Sequence, residues 1–156
     1  MISWELQNKF VKRVLKGETL FWDHDTRTEE VAFGDGFHFY VMPWTKVYMD
    51  LHHLEATHEN LRQVNLLCEF HKMNFVGAMS FTFDVRKKDK GELRRFENNE
   101  NDIWINEAYL KEFGWQKDIE SYRIGCDPDK GYKKPIIFES EYITAVILPV
   151  RVGGQE

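Results

Sequence analysis

Apolar residues in the first sixteen positions recur at the spacing of an amphipathic helix. Leu6, Phe10 and Val14, joined by Val11 and Leu15, fall on one side of such a helix, and Gly17 is a suitable stop at its C-terminal end. The opposite side carries the cations Lys9, Lys12, Arg13 and Lys16. The pattern therefore predicts a helix over residues 3–16 with one buried face and one cationic face.

After this helix the apolar spacing changes to the alternation that is typical of strands. The Gly34-Asp35-Gly36 stretch predicts a hairpin turn, and Pro43 closes an apolar run. The predicted strands are 19–23, 30–33, 36–42 and 46–51. Short strands separated by tight turns predict an antiparallel meander.

The middle and the C-terminal part of the chain predict elements of both kinds. A second helix is expected to begin near Thr57 and to carry Leu61, Val64 and Cys68 on one side. The later elements are a strand at 75–85, an exposed hairpin or loop at 86–95, a strand at 102–105, a helix at 106–113, and strands at 121–125, 135–139 and 143–152. Segment 54–90 contains no pattern that indicates a function.

The order of these elements repeats. A helix followed by strands occurs over 3–51, and a strand, a helix and three strands occur over 102–152. We therefore expect an α+β fold in a single domain over residues 1–156, built from a duplicated helix-plus-antiparallel-strands unit with approximate halves 1–74 and 75–156.

Composition narrows the class of protein. The chain has 156 residues, 42% of them hydrophobic, which is typical of one globular domain. Cys68 and Cys126 are too few for a disulfide framework, so we expect reduced thiols. The first fifteen residues lack the charge and apolar run of a signal peptide, and no stretch approaches the roughly twenty apolar residues of a membrane span. These features predict a cytoplasmic protein with no membrane contact.

The charge distribution allows a polyanion as a partner. The net charge is -5, yet segments 3–16 and 84–95 each carry +3, which leaves -11 for the rest. Attraction to phosphates depends on nearby charge, because salt screens charges beyond about 8 Å. The two basic patches can thus contact nucleic acid, although both are also consistent with ordinary solvated surfaces.

Several short motifs follow one another in an order that resembles a known family. They are Asn106 with Tyr109 and Leu110, the strand 135–139, the tail 148–152, and the turn at Asp35 and Gly36 after the first helix. Together they resemble a domain of the bacterial replicative sliding clamp, and most closely its C-terminal half-domain. The chain also resembles small phage-type proteins of this general kind.

The resemblance implies a non-enzymatic binding protein in DNA replication or its control. It implies contact with the DNA backbone through a helix of each half, and a replication protein or a host nucleic-acid protein as a partner. A clamp ring has six such domains, so a ring built from this chain would require a homo-oligomer. The predicted DNA-binding residues are Lys9, Lys12, Arg13, Lys16 and Lys111, and the predicted partner-binding residues are Trp44, Leu148, Pro149 and Val150.

Two other functions compete with this interpretation. One is a phage or mobile-element inhibitor that docks on a host nucleic-acid enzyme. The other is a zinc-dependent hydrolase with His53, His58 and His71 as metal ligands, although their spacing, with Cys68, is poor for a tetrahedral site. No residue pattern predicts a catalytic group or a cofactor. Trp104 and Trp115, like Trp44, are candidate interface aromatic residues, and each could equally be a core residue.

Overall fold

The computed structural model of the chain describes residues 3–75, 79–88, 91–98, 102–114, 121–127 and 134–150. Helices and strands alternate along these residues, and the predicted α+β fold class is confirmed. The chain forms two compact units. The first contains residues up to Met73 together with Glu141–Ala145, and the second contains Asn74–Ser140 together with the residues from Val146 onward.

In the first unit, a helix is followed by an antiparallel meander. The elements are α1 (Ser3–Leu15), β1 (Leu20–Asp25), β2 (Glu30–Gly34), β3 (His38–Pro43), α2 (Leu51–Thr57), β4 (Leu61–Gln63) and α3 (Leu66–His71). Strand β2 pairs antiparallel with β1 and β3, while β4 pairs parallel with β1. Consecutive residues of β2 and β3 are buried, so both faces of these strands are covered.

In the second unit, three antiparallel strands precede a short helix. The elements are β5 (Ser80–Lys88), β6 (Gly91–Glu97), β7 (Asp102–Asn106), α4 (Glu107–Glu112), β8 (Arg123–Cys126) and β9 (Ile136–Glu139). Strand β6 pairs with β5 and β7, and β8 pairs with β9. The rings of Phe96 and Phe113 both pack edge-on against Phe138, with centroids 5.5 and 5.4 Å away. The last strand, β10 (Thr144–Ile147), contributes residues to both units.

The predicted order of a helix followed by three strands is present twice. Helix α1 precedes β1, β2 and β3, and α4 precedes β8, β9 and β10. The motif residue Asn106 caps α4, because its side chain accepts a hydrogen bond from the Ala108 N–H at 3.0 Å. Leu110 of the same motif is fully buried. These motif residues therefore have clear structural roles.

The predicted strand over 46–51 is wrong. A short 3₁₀ turn, Trp44–Lys46, follows β3, and α2 begins at Leu51. The side chain of Gln7 accepts the N–H groups of Tyr48 and Met49, so these donors are not available to a neighbouring strand. Asp50 caps α2 by accepting from the His53 N–H.

The predicted second helix is wrong at its start, whereas its last part is confirmed as α3, which contains Cys68. Helix α2 ends at Thr57, and Leu61 lies in β4, paired with Leu20 of β1. The Asn60 amide donates to the backbone oxygens of Val14 and Glu18 at 2.8 and 2.7 Å. These bonds hold residue 60 beside the end of α1, and the chain enters the sheet from there.

Candidate nucleic-acid interface

Helix α1 is fixed to the first unit by its apolar face. Leu6, Phe10 and Val14 are buried, and the Phe10 ring meets Phe33 of β2 edge-on with centroids 5.0 Å apart. The Gln7 amide, also buried, donates to the Lys46 carbonyl at 2.8 Å. A helix anchored at so many points presents its outer side chains in a defined orientation.

Three of the predicted DNA-binding residues are exposed on the outer side of α1. Lys9, Lys12 and Lys16 are three and four residues apart and are all exposed, so they form one stripe along the helix. With a rise of 1.5 Å per residue, the stripe is about 10 Å long. We call these three residues the lysine stripe. The structure brings them together as the helical spacing predicts.

Arg13, the fourth predicted cation of α1, has a different position. Its guanidinium bonds Glu18 at 3.1 Å and Asp35 at 2.9 Å, and only 23% of its side chain is exposed. Both carboxylates belong to this chain, so the charge of Arg13 is largely neutralised. The structure therefore places Arg13 in the attachment of α1 to the β2–β3 turn, away from the lysine stripe.

Asp35 is the centre of that attachment. Its carboxylate accepts the N–H groups of Phe37 and His38 at 2.7 and 2.9 Å, and it lies 3.0 Å from the His38 ring nitrogen. Burial alone would raise the pKa of Asp35, but the His38 ring, Arg13 and the Phe37 N–H together hold it well below its usual range. The turn also requires Gly34, where a Cβ would lie 2.2 Å from the His38 carbonyl oxygen.

A second stripe on α1 is apolar, and the prediction that Val11 and Leu15 join the buried side is wrong, because Leu15 is exposed and Val11 is only half-buried. Trp4 is 48% exposed, Leu15 is 60% exposed, and Val11 between them is half-buried. The spacing of residues 4, 11 and 15 is helical, which is the signal that indicates one face. We call these residues the apolar stripe. It lies beside the lysine stripe on the outer side of the helix.

Lys111, the DNA-binding residue predicted in the second half, is exposed on α4. The adjacent Glu107 is buried and makes a bidentate pair with Arg94, with distances of 2.7 and 2.9 Å. Arg95 bonds Glu97 and Asp102, both at 2.7 Å. Two cations of the 84–95 patch are therefore paired within the protein, which weakens the second predicted basic patch.

Trp44, a predicted partner-binding residue, is 44% exposed and lies at the start of a rigid loop. Its ring stacks on His24, with centroids 4.4 Å apart and planes 13° apart. The buried Gln7 side chain bonds the backbone of Lys46, Tyr48 and Met49. The loop thus displays Trp44 and the exposed Tyr48 from a fixed backbone.

The predicted partner-binding tail is only half-exposed. Leu148, Pro149 and Val150 are all intermediate in exposure. The Val150 N–H donates to the Trp104 carbonyl at 2.8 Å, and its side chain packs on a buried cluster with Trp104. Trp104 is therefore a core residue, and of the two roles that the sequence left open for it the structure supports the core role. Arg151 and Val152 of the tail, and Trp115, lie outside the described residues.

The histidines of the zinc hypothesis do not form a site. His71 bonds Glu30 at 2.8 Å, and His58 bonds the Thr57 hydroxyl at 2.9 Å. Within the described ranges, no group of three His, Cys, Asp or Glu residues is placed to hold a metal. Cys68 and His71 line an open depression of about 490 Å³ beside β1 and α3, where the Cys68 thiol is free and exposed.

The chain matches no family model, no curated protein and no solved structure. The resemblance to the sliding clamp therefore stays a prediction. In the part of the chain that the structure describes, the helices are too short or too polar to cross a membrane.

Proposed function

We propose that this chain is a non-enzymatic DNA-binding protein that acts in DNA replication or its control. Its lysine stripe contacts backbone phosphates and does not depend on base sequence. The observation that carries this proposal is the exposure of Lys9, Lys12 and Lys16 on one side of a helix that is anchored by its other side. The link to replication is supported by the clamp-like order of motifs and elements in the sequence.

The lysine stripe alone is a weak attachment. Three phosphate contacts give a salt dependence with a slope of roughly -2 to -3 in log affinity against log salt concentration. Arg13 would add no contact, because Glu18 and Asp35 hold it. The acidic remainder of the chain favours contact limited to this surface.

Salt-dependent binding to a fluorescein-labelled DNA tests the proposal. We expect the triple substitution Lys9→Gln, Lys12→Gln and Lys16→Gln to reduce the slope by about 2 to 3. A control with the same charge change uses the exposed residues Arg27, Arg62 and Lys72 of the first unit, each changed to Gln. If the control reduces the slope as much as the α1 variant does, attraction is not located at the lysine stripe and the proposal is wrong.

A second candidate function is supported by the exposed aromatic loop. Trp44, Tyr48 and Tyr142 are exposed, and the Lys46 ammonium lies 5.0 Å from the Tyr142 ring centroid. Rigid exposed aromatic residues are typical of protein-binding surfaces. They favour the alternative of an inhibitor that docks on a host nucleic-acid enzyme.

Primer extension by a purified host replicase distinguishes the two functions. An inhibitor that docks through the aromatic loop would lose its effect on substitution of Trp44→Ala and Tyr48→Ala and would keep it in the triple lysine variant. Inhibition that instead disappears in the lysine variant would come from DNA binding. Absence of inhibition by the unmodified protein would exclude the second candidate for that replicase.

A further inference from the structure

The outer side of α1 combines two chemical properties along one helix. With 3.6 residues per turn, the apolar stripe and the lysine stripe are about 110° apart around the helix axis. Asn8, which is exposed, lies between them. A ligand that lies along the helix can therefore contact cations on one side and apolar side chains on the other.

Duplex DNA does not match this pair of stripes. A duplex presents phosphates and sugars on its outside, and its bases are stacked inside. Beside a duplex, the half-exposed Trp4 and the exposed Leu15 would face phosphates and sugars, so the indole ring would have no base face to stack on. A single strand, by contrast, exposes base faces as well as phosphates, and bases stack on aromatic side chains.

The position of Glu5 determines at which end of α1 a phosphate is favoured. Glu5 is exposed and falls in line with the lysine stripe, one turn before Lys9. Its carboxylate repels a phosphate at the N-terminal end of α1, where Trp4 offers an indole ring. Bases are thus favoured near Trp4, and phosphates are favoured near Lys12 and Lys16, about 12 to 18 Å further along the helix axis.

We propose that α1 binds single-stranded DNA, with phosphates on the lysine stripe and a base stacked on Trp4. This inference rests on the proposed function, because the same lysines supply the attraction. To that function it adds the class of DNA, which is single-stranded, and a residue on which a base stacks, Trp4. Leu15 contributes an apolar contact for a neighbouring sugar or base at the other end of the helix.

Fluorescence anisotropy with labelled oligo(dT) and with a duplex of the same length tests the inference. We expect Trp4→Ala to weaken binding to oligo(dT) about 5- to 150-fold, which is the range found when a stacking residue is removed. The salt slope stays unchanged because no charge is removed. Trp4→Phe retains an aromatic ring and restores most of the affinity, and duplex binding is not changed by either variant.

The control is Phe37→Ala, at an exposed ring of the same unit that does not belong to α1. It should leave oligo(dT) binding unchanged. Thermal unfolding checks that each variant is folded. If Trp4→Ala does not fold, indole fluorescence of the unmodified protein and of Trp4→Phe serves instead, since quenching by oligo(dT) should be larger in the unmodified protein.

These experiments distinguish a failure of the inference from a failure of the proposed function. If the triple lysine variant loses its salt slope while Trp4→Ala binds oligo(dT) normally, the inference is wrong and the proposed function stands. If the lysine variant keeps its slope, both are wrong. If Trp4→Ala loses binding to vesicles of phosphatidylserine and phosphatidylcholine but not to oligo(dT), the surface binds lipid and the inference is wrong.

Discussion

The carboxylate of Asp35 connects the β2–β3 turn, the His38 ring and helix α1 through Arg13. Only 11% of its side chain is exposed, so these partners replace most of its contact with water. Removing the carboxylate takes an acceptor from the Arg13 guanidinium and from the N–H and ring of His38, and the loss of hydrogen-bond partners in a mostly buried site is costly.

We expect Asp35→Asn to lower the free energy of unfolding at neutral pH by about 2 kcal/mol. The pKa of Asp35 is lower in the folded chain than in the unfolded chain. Its stabilising effect is therefore present above the ordinary Asp pKa of about 3.9 and is lost as the pH falls below that value. Urea unfolding at several pH values measures this dependence.

The matched control for Asp35 is Glu59→Gln, at an exposed carboxylate. The control should keep the pH dependence of the unmodified protein between about pH 2 and pH 4, whereas Asp35→Asn should have a smaller one. Equal dependence in the unmodified protein and Asp35→Asn would contradict the role assigned to this carboxylate.

The two cysteines should differ in reactivity. Cys68 is exposed, while Cys126 is buried, and burial raises the pKa of its thiol. Because the thiolate is the reactive form, we expect a maleimide to label one cysteine per folded chain, with Cys68 identified by peptide mass. Cys126 should react only after denaturation. Equal labelling of both in the folded protein would contradict the buried position of Cys126.

At the scale of elements, the Arg94–Glu107 pair joins β6 to α4. Both side chains are largely buried and meet in a bidentate geometry. Loss of one partner from a buried pair leaves an uncompensated charge, so we expect Glu107→Ala to reduce stability by about 3–5 kcal/mol. Replacing both residues by Leu should cost less than the sum of the single changes Arg94→Leu and Glu107→Leu, as measured by a double-mutant cycle with urea unfolding.

An exposed pair in the same unit is the control for this cycle. Arg123 and Glu139 lie 2.9 Å apart, but both side chains are well exposed. Their coupling should be below about 1 kcal/mol because water screens such pairs. Coupling of similar size in both cycles would mean that burial does not strengthen the Arg94–Glu107 pair.

Elements with a local pattern could be predicted from the sequence. The spacing of Leu6, Phe10 and Val14 indicates α1, and the Asp35–Gly36 turn between apolar runs indicates a hairpin. The segment from Leu51 to His71 could not be predicted correctly, since the apolar residue Leu61 belongs to a strand that pairs with β1, and the bonds of Asn60 that bring it there join residues more than forty positions apart.

In the candidate site, too, the sequence predicts what a local pattern contains and does not predict contacts between distant residues. The helical period places Lys9, Lys12 and Lys16 on one face, and the structure agrees. The pairing of Arg13 with Asp35 depends on a contact across twenty-two positions, which no local pattern contains. The spacing of Trp4, Val11 and Leu15 indicates one face of α1, but the apolar character of Val11 and Leu15 led to the prediction that they join the buried side.

For the molecule as a whole, a small basic surface on an acidic protein predicts binding that salt weakens strongly. The net charge is -5, and the lysine stripe supplies three phosphate contacts. With a slope of about -0.7 per contact for a single strand, raising salt from about 50 to about 200 mM should weaken oligo(dT) binding roughly 20-fold. Anisotropy titrations measure this factor. Affinity that does not change with salt would exclude phosphate contacts as the main attraction.

The first unit is not continuous along the chain, since it consists of residues up to Met73 and of the later segment Glu141–Ala145. During synthesis, the ribosome must add about 70 further residues before the last piece is available. At roughly 5–20 residues per second, this interval lasts several seconds. The first unit therefore cannot be completed until Glu141–Ala145 has emerged from the exit tunnel.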